Sequence, residues 1–161
     1  SHKMKYVFDI ETDGFIKNMS LIHCFVLIHI ETNKIHRFRD NLSEGVQILE
    51  NADLFIGHNI INFDIPAIKK LYNFNPKGEA FDTLLHARKL WPKIIEDDNK
   101  KDLIPTEFRG RHSLKAWGYR LGEYKGDYEG PWNKYNEQMM IYCEQDVRVT
   151  FKLWKHITSK I

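Results

Sequence analysis

Three short segments rich in β-branched and aromatic residues fill most of the first 38 positions, and no other feature constrains the fold as strongly. They are MKYVFDI (4–10), LIHCFVLIHI (21–30) and KIHRF (34–38). Segments of this length and composition favour β-strands. Thr32 and Asn33 separate the last two segments, and such a polar step between strands is typical of a hairpin. The chain is therefore predicted to begin with a strand and a β-hairpin.

Helical patterns dominate the remaining sequence. One further strand is predicted at DLFIGHN (53–59), and the Pro66 that follows is a residue favoured in the first turn of a helix. Helices are predicted for 43–52 with Ser43 as its cap, from Pro66 onward, and for 83–91, 112–123 and about 133–159. Early strands with helices alternating afterwards indicate an α/β domain with a mixed sheet.

The segment 92–111 shows neither a strand nor a helix pattern. It is rich in charged residues and contains Pro92 and Pro105. It is therefore predicted to be a long, solvated surface loop, a feature that is uncommon unless the loop is functional or mobile.

The bulk properties place the chain among folded, intracellular proteins. Its 161 residues, 42% of them hydrophobic, suffice for one domain with its own core, assigned to residues 4–161. Ser1–Lys3 look like a remnant of an expression tag. Cys24 and Cys143 show no ligand spacing and are expected to be reduced thiols in a cytoplasmic protein; no membrane-spanning segment is predicted. A net charge of +2 neither requires nor excludes a nucleic-acid partner.

The octapeptide FDIETDGF (8–15) admits two interpretations. Asp9, Glu11 and Asp13 alternate and precede Gly14, as in the first half of an EF-hand calcium loop. An EF-hand requires a carboxylate at the twelfth position, which is Ser20 here, and a helix on each side. The segment before Asp9 favours a strand instead, so the calcium-loop hypothesis is rejected.

The strand interpretation places two carboxylates side by side. Residues two apart in a strand point to the same face, so Asp9 and Glu11 project together while Ile10 points to the other face. Carboxylates held this close repel each other unless a cation lies between them, and hard divalent cations prefer oxygen ligands. The alternative is a solvated strand end followed by a turn at Asp13 and Gly14.

A third acid follows the predicted strand 53–59. Asp64 in GHNIINFDIP (57–66) lies at the carboxyl end of that strand and beside a helix start, where open α/β sheets place their ligands. The alternative is that Asp64 only caps the helix.

The last predicted helix adds a tyrosine and a fourth acid. Tyr142 and Asp146 are four residues apart and share one face, close to the apolar positions Met139, Val149 and Leu153. A core-facing pair of this kind is costly unless something satisfies it. The alternative is an exposed pair with an ordinary contact between residues i and i+4.

Taken together, these residues resemble the three motifs of the DEDD exonucleases of the tyrosine subclass. The motifs are Asp9 and Glu11 on a first strand, N-x-x-x-F-D from Asn59 to Asp64, and Y-x-x-x-D from Tyr142 to Asp146. HSLKAWGYRLGEYKGDY (112–128) and NEQMMIYCEQDVRVT (136–150) look like segments of the proofreading domain of bacteriophage family A DNA polymerases. The resemblance covers 4–157, except that 92–111 match no family segment. No polymerase domain follows, so an excised domain and a free-standing nuclease both remain open.

The resemblance implies an RNase H-like α/β fold and a site for two divalent metal ions, Mg²⁺ or Mn²⁺. Two such ions activate a water molecule, neutralise charge in the transition state and stabilise the departing oxygen. By resemblance, Asp9 bridges both ions, Glu11 and Asp146 complete the shell of the water-activating ion, and Asp64 holds the second. Tyr142 would orient the attacking water, and its phenol need not ionise.

Candidate substrate contacts are less sharply defined. Asn59 and Phe63 belong to the second motif, and similar domains use such residues on the terminal nucleotide; core packing is the alternative for Phe63. Thr12 follows the first motif, with a turn role as the alternative. His112 is a further candidate at the start of a helix, where Ser113 is explained by capping.

Basic and aromatic residues near the segment 92–111 complete the candidate set. Arg109, Arg111 and Lys115 are the best phosphate-contact candidates, although the acids of 92–111 favour a solvated segment. Trp117 and Trp132 are of the type that stacks on bases. The position of Trp117 on an apolar helix face favours a core role.

The expected activity is removal of nucleotides from the 3′ end of single-stranded DNA, which releases 5′-monophosphates. The resemblance alone supplies the DNA preference. A ribonuclease of the same subclass is one alternative, since no 2′-hydroxyl reader can be identified. The other is a non-catalytic module that binds nucleic-acid ends or a polymerase partner, against which the complete set of acids argues.

Overall fold

The computed structural model describes residues 4–124 and 126–161, so Ser1–Lys3, interpreted above as a tag remnant, lie outside the described residues. Within these ranges, five strands form one mixed sheet in the order β3-β2-β1-β4-β5. The strands are β1 (Lys5–Thr12), β2 (Ile22–His29), β3 (Ile35–Phe38), β4 (Leu54–Gly57) and β5 (Glu79–Asp82). The first three pair antiparallel, β4 runs parallel to β1, and β5 runs parallel to β4. The predicted mixed α/β sheet is confirmed.

Helices cover both faces of the sheet. They are α1 (Leu42–Asn51), a π-helix (Ile60–Asp64) that continues into α2 (Ile65–Leu71), α3 (Thr83–Leu90), α4 (Ile94–Lys101), a 3-10 turn (Thr106–Phe108), α5 (Leu114–Arg120) and α6 (Glu137–Thr158). Among the described residues, no helix is both long and apolar enough to cross a membrane.

The alternation along β1 divides the core and sets the direction of the acids. Tyr6, Phe8 and Ile10 enter the cluster on the α1 and α2 face, whereas Val7 enters the cluster on the α6 face. Because side chains alternate across a strand, Asp9 projects to the same face as Val7. The first motif therefore faces α6, the helix that carries the third motif.

The hairpin prediction is confirmed, and one cap prediction is wrong. Asn33 adopts a left-handed φ of 62°, and the His29 amide donates to the Lys34 carbonyl at 2.9 Å, which closes the turn. Helix α1 begins at Leu42 after an N-cap at Asn41, so Ser43 lies inside the helix and does not cap it. Strand β5 was not predicted, because its four residues, EAFD, include no β-branched residue and begin with two residue types that are depleted in strands.

The predicted loop at 92–111 is wrong, because this segment contains α4 and the 3-10 turn and packs against α5. Asp98 and Arg120 form a salt bridge in which both side chains are at least nine-tenths buried. The Asp98 carboxylate accepts from Arg120 Nε at 2.9 Å, from Arg120 Nη2 at 2.7 Å and from the Gly110 amide at 2.9 Å. Charge composition predicted a solvated segment, but this acid is neutralised by an arginine outside it.

This ion pair yields a stability prediction. We expect Asp98→Ala to lower the free energy of unfolding by about 3 kcal/mol, because it leaves the Arg120 guanidinium buried without its counter-charge. Asp97→Ala is the matched control, since Asp97 is exposed on the same helix. Urea unfolding of both variants checks the difference, and equal values would show that the buried pair does not stabilise the fold.

Candidate active site

Four carboxylates from three distant parts of the chain converge beside β1. Asp9 and Glu11 project from β1, Asp146 comes from α6, and Asp64 ends the π-helix that follows β4, the parallel neighbour of β1. Charge repulsion acts on Asp9 from Asp146, Asp64 and Glu11. Ligand atoms of Asp9, Glu11 and Cys143 lie within 4.8 Å of one another. The sequence-predicted acids therefore form one cluster.

The electrostatics of the cluster favour a bound cation. Burial and then the neighbouring carboxylates raise the pKa of Asp9 well above its ordinary value, and the pKa of Asp64 rises for the same reasons. Burial and Asp146 raise the pKa of Glu11 to about 8. Burial also raises the pKa of Asp146 to about 7, despite a hydrogen bond with Asp9. These acids retain protons near neutral pH unless a positive charge replaces those protons.

Asp64 does not cap α2, so the capping interpretation is wrong. It occupies the N-cap position, yet its side chain makes no capping hydrogen bond. Its Oδ2 atom is buried and has no hydrogen-bond partner within residues 4–124 and 126–161. A buried carboxylate oxygen without a donor is costly, and a cation would satisfy it.

The donor set fits a hard divalent cation. Four carboxylates supply oxygen ligands of the type that Mg²⁺ and Mn²⁺ prefer. Burial raises the pKa of the Cys143 thiol well above its ordinary value, and the thiol lies 3.4 Å from the Asp9 carbonyl oxygen. Cys143 therefore stays a neutral thiol in the metal-free protein and does not supply the thiolate that a soft metal requires.

Asp13 belongs to the turn after β1. Its Oδ1 atom accepts hydrogen bonds from the Ser20 amide at 2.8 Å and from the Leu21 amide at 3.2 Å. The rejection of the EF-hand hypothesis is consistent with this geometry, because Asp13 closes a local turn and β1 is a strand.

Tyr142 and Asp146 are not an exposed pair on α6. Both are half-buried, and Asp146 shares a hydrogen bond with Asp9 on the sheet. The Tyr142 ring lies beside the Tyr128 ring, with 5.8 Å between centroids. The helix face that carries the third motif is therefore turned toward the first motif.

A cavity of about 480 Å³ adjoins the acids at the end of β1. Glu11, Thr12, Asn59, Phe63 and Trp132 contribute to its lining. Thr12 also forms the predicted turn contact, because its hydroxyl donates to the Gly14 carbonyl at 2.6 Å. Phe63 packs against the core as well as lining the cavity. The structure thus brings four candidate substrate residues together with one metal-ligand candidate.

Three other candidates have structural partners elsewhere. His112 Nε2 lies 3.0 Å from the Trp91 carbonyl, and its ring stacks with Trp117, which is buried in the core as predicted. Arg109 pairs with Asp102 at 2.6 Å and donates to the Ile104 carbonyl. Their contacts therefore serve the packing of α4 and α5.

The remaining two basic candidates differ from each other. Lys115 forms an ion pair with Asp127, and its ammonium lies 5.0 Å from the Phe108 ring centroid. The Arg111 residue is exposed, and its carbonyl accepts from Arg120 Nη2 at 2.6 Å. The exposure of Arg111 leaves its predicted phosphate contact as a hypothesis.

Asp82 is a site-supporting residue that sequence reasoning missed. The buried Asp82 carboxylate accepts from the amides of Asn59 at 2.9 Å and Ile61 at 3.0 Å, and it caps α3 through the Leu84 amide at 2.9 Å. These bonds fix Asn59 in a left-handed conformation, with φ of 63°, at the entry to the π-helix that ends in Asp64. The role of Asp82 as the cap of α3 could have been predicted from its position before a predicted helix. Its bonds to Asn59 and Ile61, which lie 23 and 21 positions earlier, could not be predicted from any sequence pattern.

Known proteins are similar in sequence to nearly the whole length of this chain. The DNA-directed DNA polymerase of Enterobacteria phage T3 is 29% identical over 185 aligned positions, which cover 95% of this chain and 26% of the polymerase. The chain thus spans about a quarter of that relative, and the predicted resemblance to phage polymerases is confirmed.

Two solved nucleases share the fold at low sequence identity. Brucella melitensis NrnC, solved with bound Mg²⁺ and separately with pGG, superimposes with TM-scores of 0.67 and 0.68; each alignment is 15% identical and covers 98% of this chain and 73% of NrnC. Escherichia coli exonuclease I, in complex with a 5cy-dT13 oligonucleotide, superimposes with a TM-score of 0.68 at 12% identity, covering 99% of this chain and 41% of the exonuclease.

A family model provides the classification. The sequence model of the RNase H superfamily matches residues 6–158, which include all four acids and, apart from Lys5 at the start of β1, all five strands of the described sheet. The predicted RNase H-like fold is confirmed, and this chain belongs to the RNase H superfamily.

Proposed function

We propose that this protein is a metal-dependent 3′–5′ exonuclease that removes nucleotides from single-stranded DNA and releases 5′-mononucleotides. One observation carries the proposal: four carboxylates with raised pKa values lie together beside β1, and one of them, Asp64, has a buried oxygen without a hydrogen-bond partner among the described residues. Such a cluster destabilises a metal-free protein, and its cost is explained if cations bind there.

Two ions, Mg²⁺ or Mn²⁺, are the proposed cofactors, with Asp9, Glu11, Asp64 and Asp146 as ligands. Bound ions would supply an acidified water molecule and positive charge for the phosphodiester transition state. The side chains of this chain prepare that chemistry: Asp9 and Glu11 are fixed by the pairing of β1 with β2, and the packing of α6 on β1 holds Asp146 beside Asp9. The solved NrnC structure with Mg²⁺ supports the choice of metal class.

The cavity beside Glu11 is the proposed site for the 3′-terminal nucleotide. Its volume of about 480 Å³ lies within the range of small-ligand sites, about 300–1,000 Å³. The Phe63 and Trp132 rings offer apolar surface for a base, and the Asn59 side chain offers hydrogen-bonding groups. Thr12 lines this cavity and directly follows Glu11 in the chain, so a scissile phosphate bound at the acids would lie near it.

DNA is proposed as the substrate because the T3 relative is a DNA polymerase and exonuclease I was solved with an oligonucleotide. An exoribonuclease of the same subclass is the second candidate, supported by the likeness to NrnC, which binds pGG. A module that only binds nucleic acid is disfavoured, because four clustered carboxyl groups offer no attraction for phosphate unless a cation is bound. Proofreading with a polymerase domain or subunit as partner is the proposed setting.

One assay separates these candidates. Single-stranded DNA and RNA of matched sequence, labelled at the 5′ end, are incubated with the protein and Mg²⁺, Mn²⁺ or a chelator. We expect a metal-dependent ladder of shortened products on DNA. A ladder only on RNA would assign the protein as a ribonuclease, and intact substrates under all conditions would contradict the proposed activity.

Tyr142 provides a separate prediction. We expect Tyr142→Phe to slow single-turnover cleavage about ten- to hundred-fold, because the hydroxyl is proposed to orient the attacking water, while metal binding is retained. Rapid-quench kinetics measure the rate, and titration with Mn²⁺ followed by electron paramagnetic resonance measures binding. Loss of Mn²⁺ binding in this variant would instead give Tyr142 a structural role.

A further inference from the structure

Residues 126–136, termed the strap, cross the face of α6 that carries Tyr142. The Gly126 carbonyl accepts from Gln145 Nε2 at 3.2 Å. At the other end, Asn136 caps α6 by accepting from the Met139 amide at 3.0 Å. The strap is therefore attached to α6 on both sides of Tyr142 in the sequence of that helix.

Gly126 lies directly against the Tyr142 hydroxyl. Its φ is 126°, a conformation that residues with a side chain rarely adopt. A Cβ atom added there would lie 3.2 Å from Tyr142 Oη, which is tighter than ordinary contacts and would displace the hydroxyl by a few tenths of an ångström. The absence of a side chain at position 126 thus determines where the hydroxyl can lie.

Tyr128 contacts the Tyr142 ring and connects it to the substrate cavity. Its ring centroid lies 5.8 Å from that of Tyr142 and 4.8 Å from that of Trp132, a residue lining the cavity beside Glu11. The Tyr128 hydroxyl accepts from Asn136 Nδ2 at 2.6 Å. Because Asn136 also caps α6, the Tyr128 ring is fixed relative to the helix that carries Tyr142.

A further interaction holds the strap near the acids. Asp127 forms an ion pair with Lys115 of α5, and its charge also acts on Asp146. Lys115, a phosphate-contact candidate in the sequence, is thereby engaged in holding the strap.

We infer that the strap positions Tyr142 for catalysis, with Gly126 setting the place of the hydroxyl and Tyr128 supporting the ring. This inference rests on the proposed function, in which the Tyr142 hydroxyl orients the attacking water. Neither residue needs to touch the substrate for this role, so both are positioning residues. Because a misplacement of about 1 Å can slow a reaction roughly 10²-fold, a displacement of the Tyr142 hydroxyl by a few tenths of an ångström is expected to have a smaller, measurable effect.

The test compares Gly126→Ala with Gly122→Ala. Gly122 also has a positive φ, of 70°, but a Cβ there would meet no described atom within 4 Å. The control therefore introduces the same methyl group into the same connection without touching Tyr142. Thermal unfolding establishes that both variants are folded before either is compared further.

The first readout does not require activity. The proteins are labelled with ¹³C in the tyrosine rings, and the Tyr142 resonance is assigned by its disappearance in Tyr142→Phe. We expect Gly126→Ala to shift the Tyr142 resonance and Gly122→Ala to leave it in place. An unshifted Tyr142 resonance in Gly126→Ala would overturn the inference, whatever the protein's activity proves to be.

The second readout asks whether Gly126 acts through the hydroxyl. We expect Gly126→Ala to slow single-turnover cleavage on the order of ten-fold. In the Tyr142→Phe background, the same substitution should add no more effect than Gly122→Ala does. An equal slowing in both backgrounds would overturn the inference. If the wild type does not cleave, the proposed function is rejected, and the Tyr142 resonance alone then tests whether Gly126 sets the position of the hydroxyl.

Discussion

Asp9→Asn abolishes metal-dependent cleavage in our account, by on the order of 10³-fold or more, and at the same time stabilises the metal-free protein. The loss of activity is expected because Asp9 lies among the three other carboxylates and would help to hold the metal ions. The gain in stability, on the order of 1–2 kcal/mol, is expected because Asp9 must either keep a proton or carry a charge that faces Asp146, Asp64 and Glu11, whereas asparagine is neutral without binding a proton.

The two effects are measured on the same preparations. Cleavage is followed with 5′-labelled DNA and Mg²⁺, and the free energy of unfolding is measured by urea titration in chelator. Glu96→Gln is the matched control, since it removes one exposed negative charge and should change neither quantity. A loss of both activity and stability in Asp9→Asn would indicate a structural role for this carboxylate and would contradict the metal-ligand assignment.

The stability of the metal-free protein should decrease as the pH rises from about 5 to about 8. Burial and Asp146 raise the pKa of Glu11 to about 8, and burial raises that of Asp146 to about 7. The folded protein therefore retains protons that the unfolded chain has already lost in this range, so deprotonation favours the unfolded state. The expected decrease is on the order of several kcal/mol.

Metal ions should reverse this pH dependence. Mg²⁺ or Mn²⁺ binds the deprotonated carboxylates of the folded state, so its stabilising effect should grow from pH 5 to pH 8. Urea titrations in chelator and in Mg²⁺ across this range measure both trends, and Glu11→Gln should flatten the curve recorded in chelator. Stability that rises with pH in chelator, or that does not respond to metal at pH 8, would contradict the proposed centre.

The first strand shows how much of the site could be predicted from the sequence. Its alternation placed Asp9 and Glu11 on one face before any tertiary contact was known, because side-chain direction in a strand depends only on the backbone. Asp64 and Tyr142 with Asp146 were found because each lies at a fixed spacing next to a recognisable strand or helix. The resemblance to a family then joined motifs that no local pattern could have joined.

The contacts that support the site were not predictable, because they connect residues without any fixed spacing. Asp82 orders the segment from Asn59 to Asp64 through bonds that exist only once β4 and β5 lie side by side. The role of Gly126 depends on the position of Tyr142, which follows it by sixteen residues and belongs to another element. Charge composition misled the interpretation of 92–111, since a buried pair such as Asp98 with Arg120 has the same composition as a solvated one.

Direct measurement of Mn²⁺ binding tests the central claim that the four acids form a metal centre. Electron paramagnetic resonance of free Mn²⁺ is recorded while the wild type and Asp9→Asn are titrated at pH 8. We expect the wild type to bind two ions per chain, as a two-metal site requires, and Asp9→Asn to bind them at least about ten-fold more weakly. A wild type that binds no Mn²⁺, or an Asp9→Asn variant that binds it as tightly as the wild type, would contradict the account.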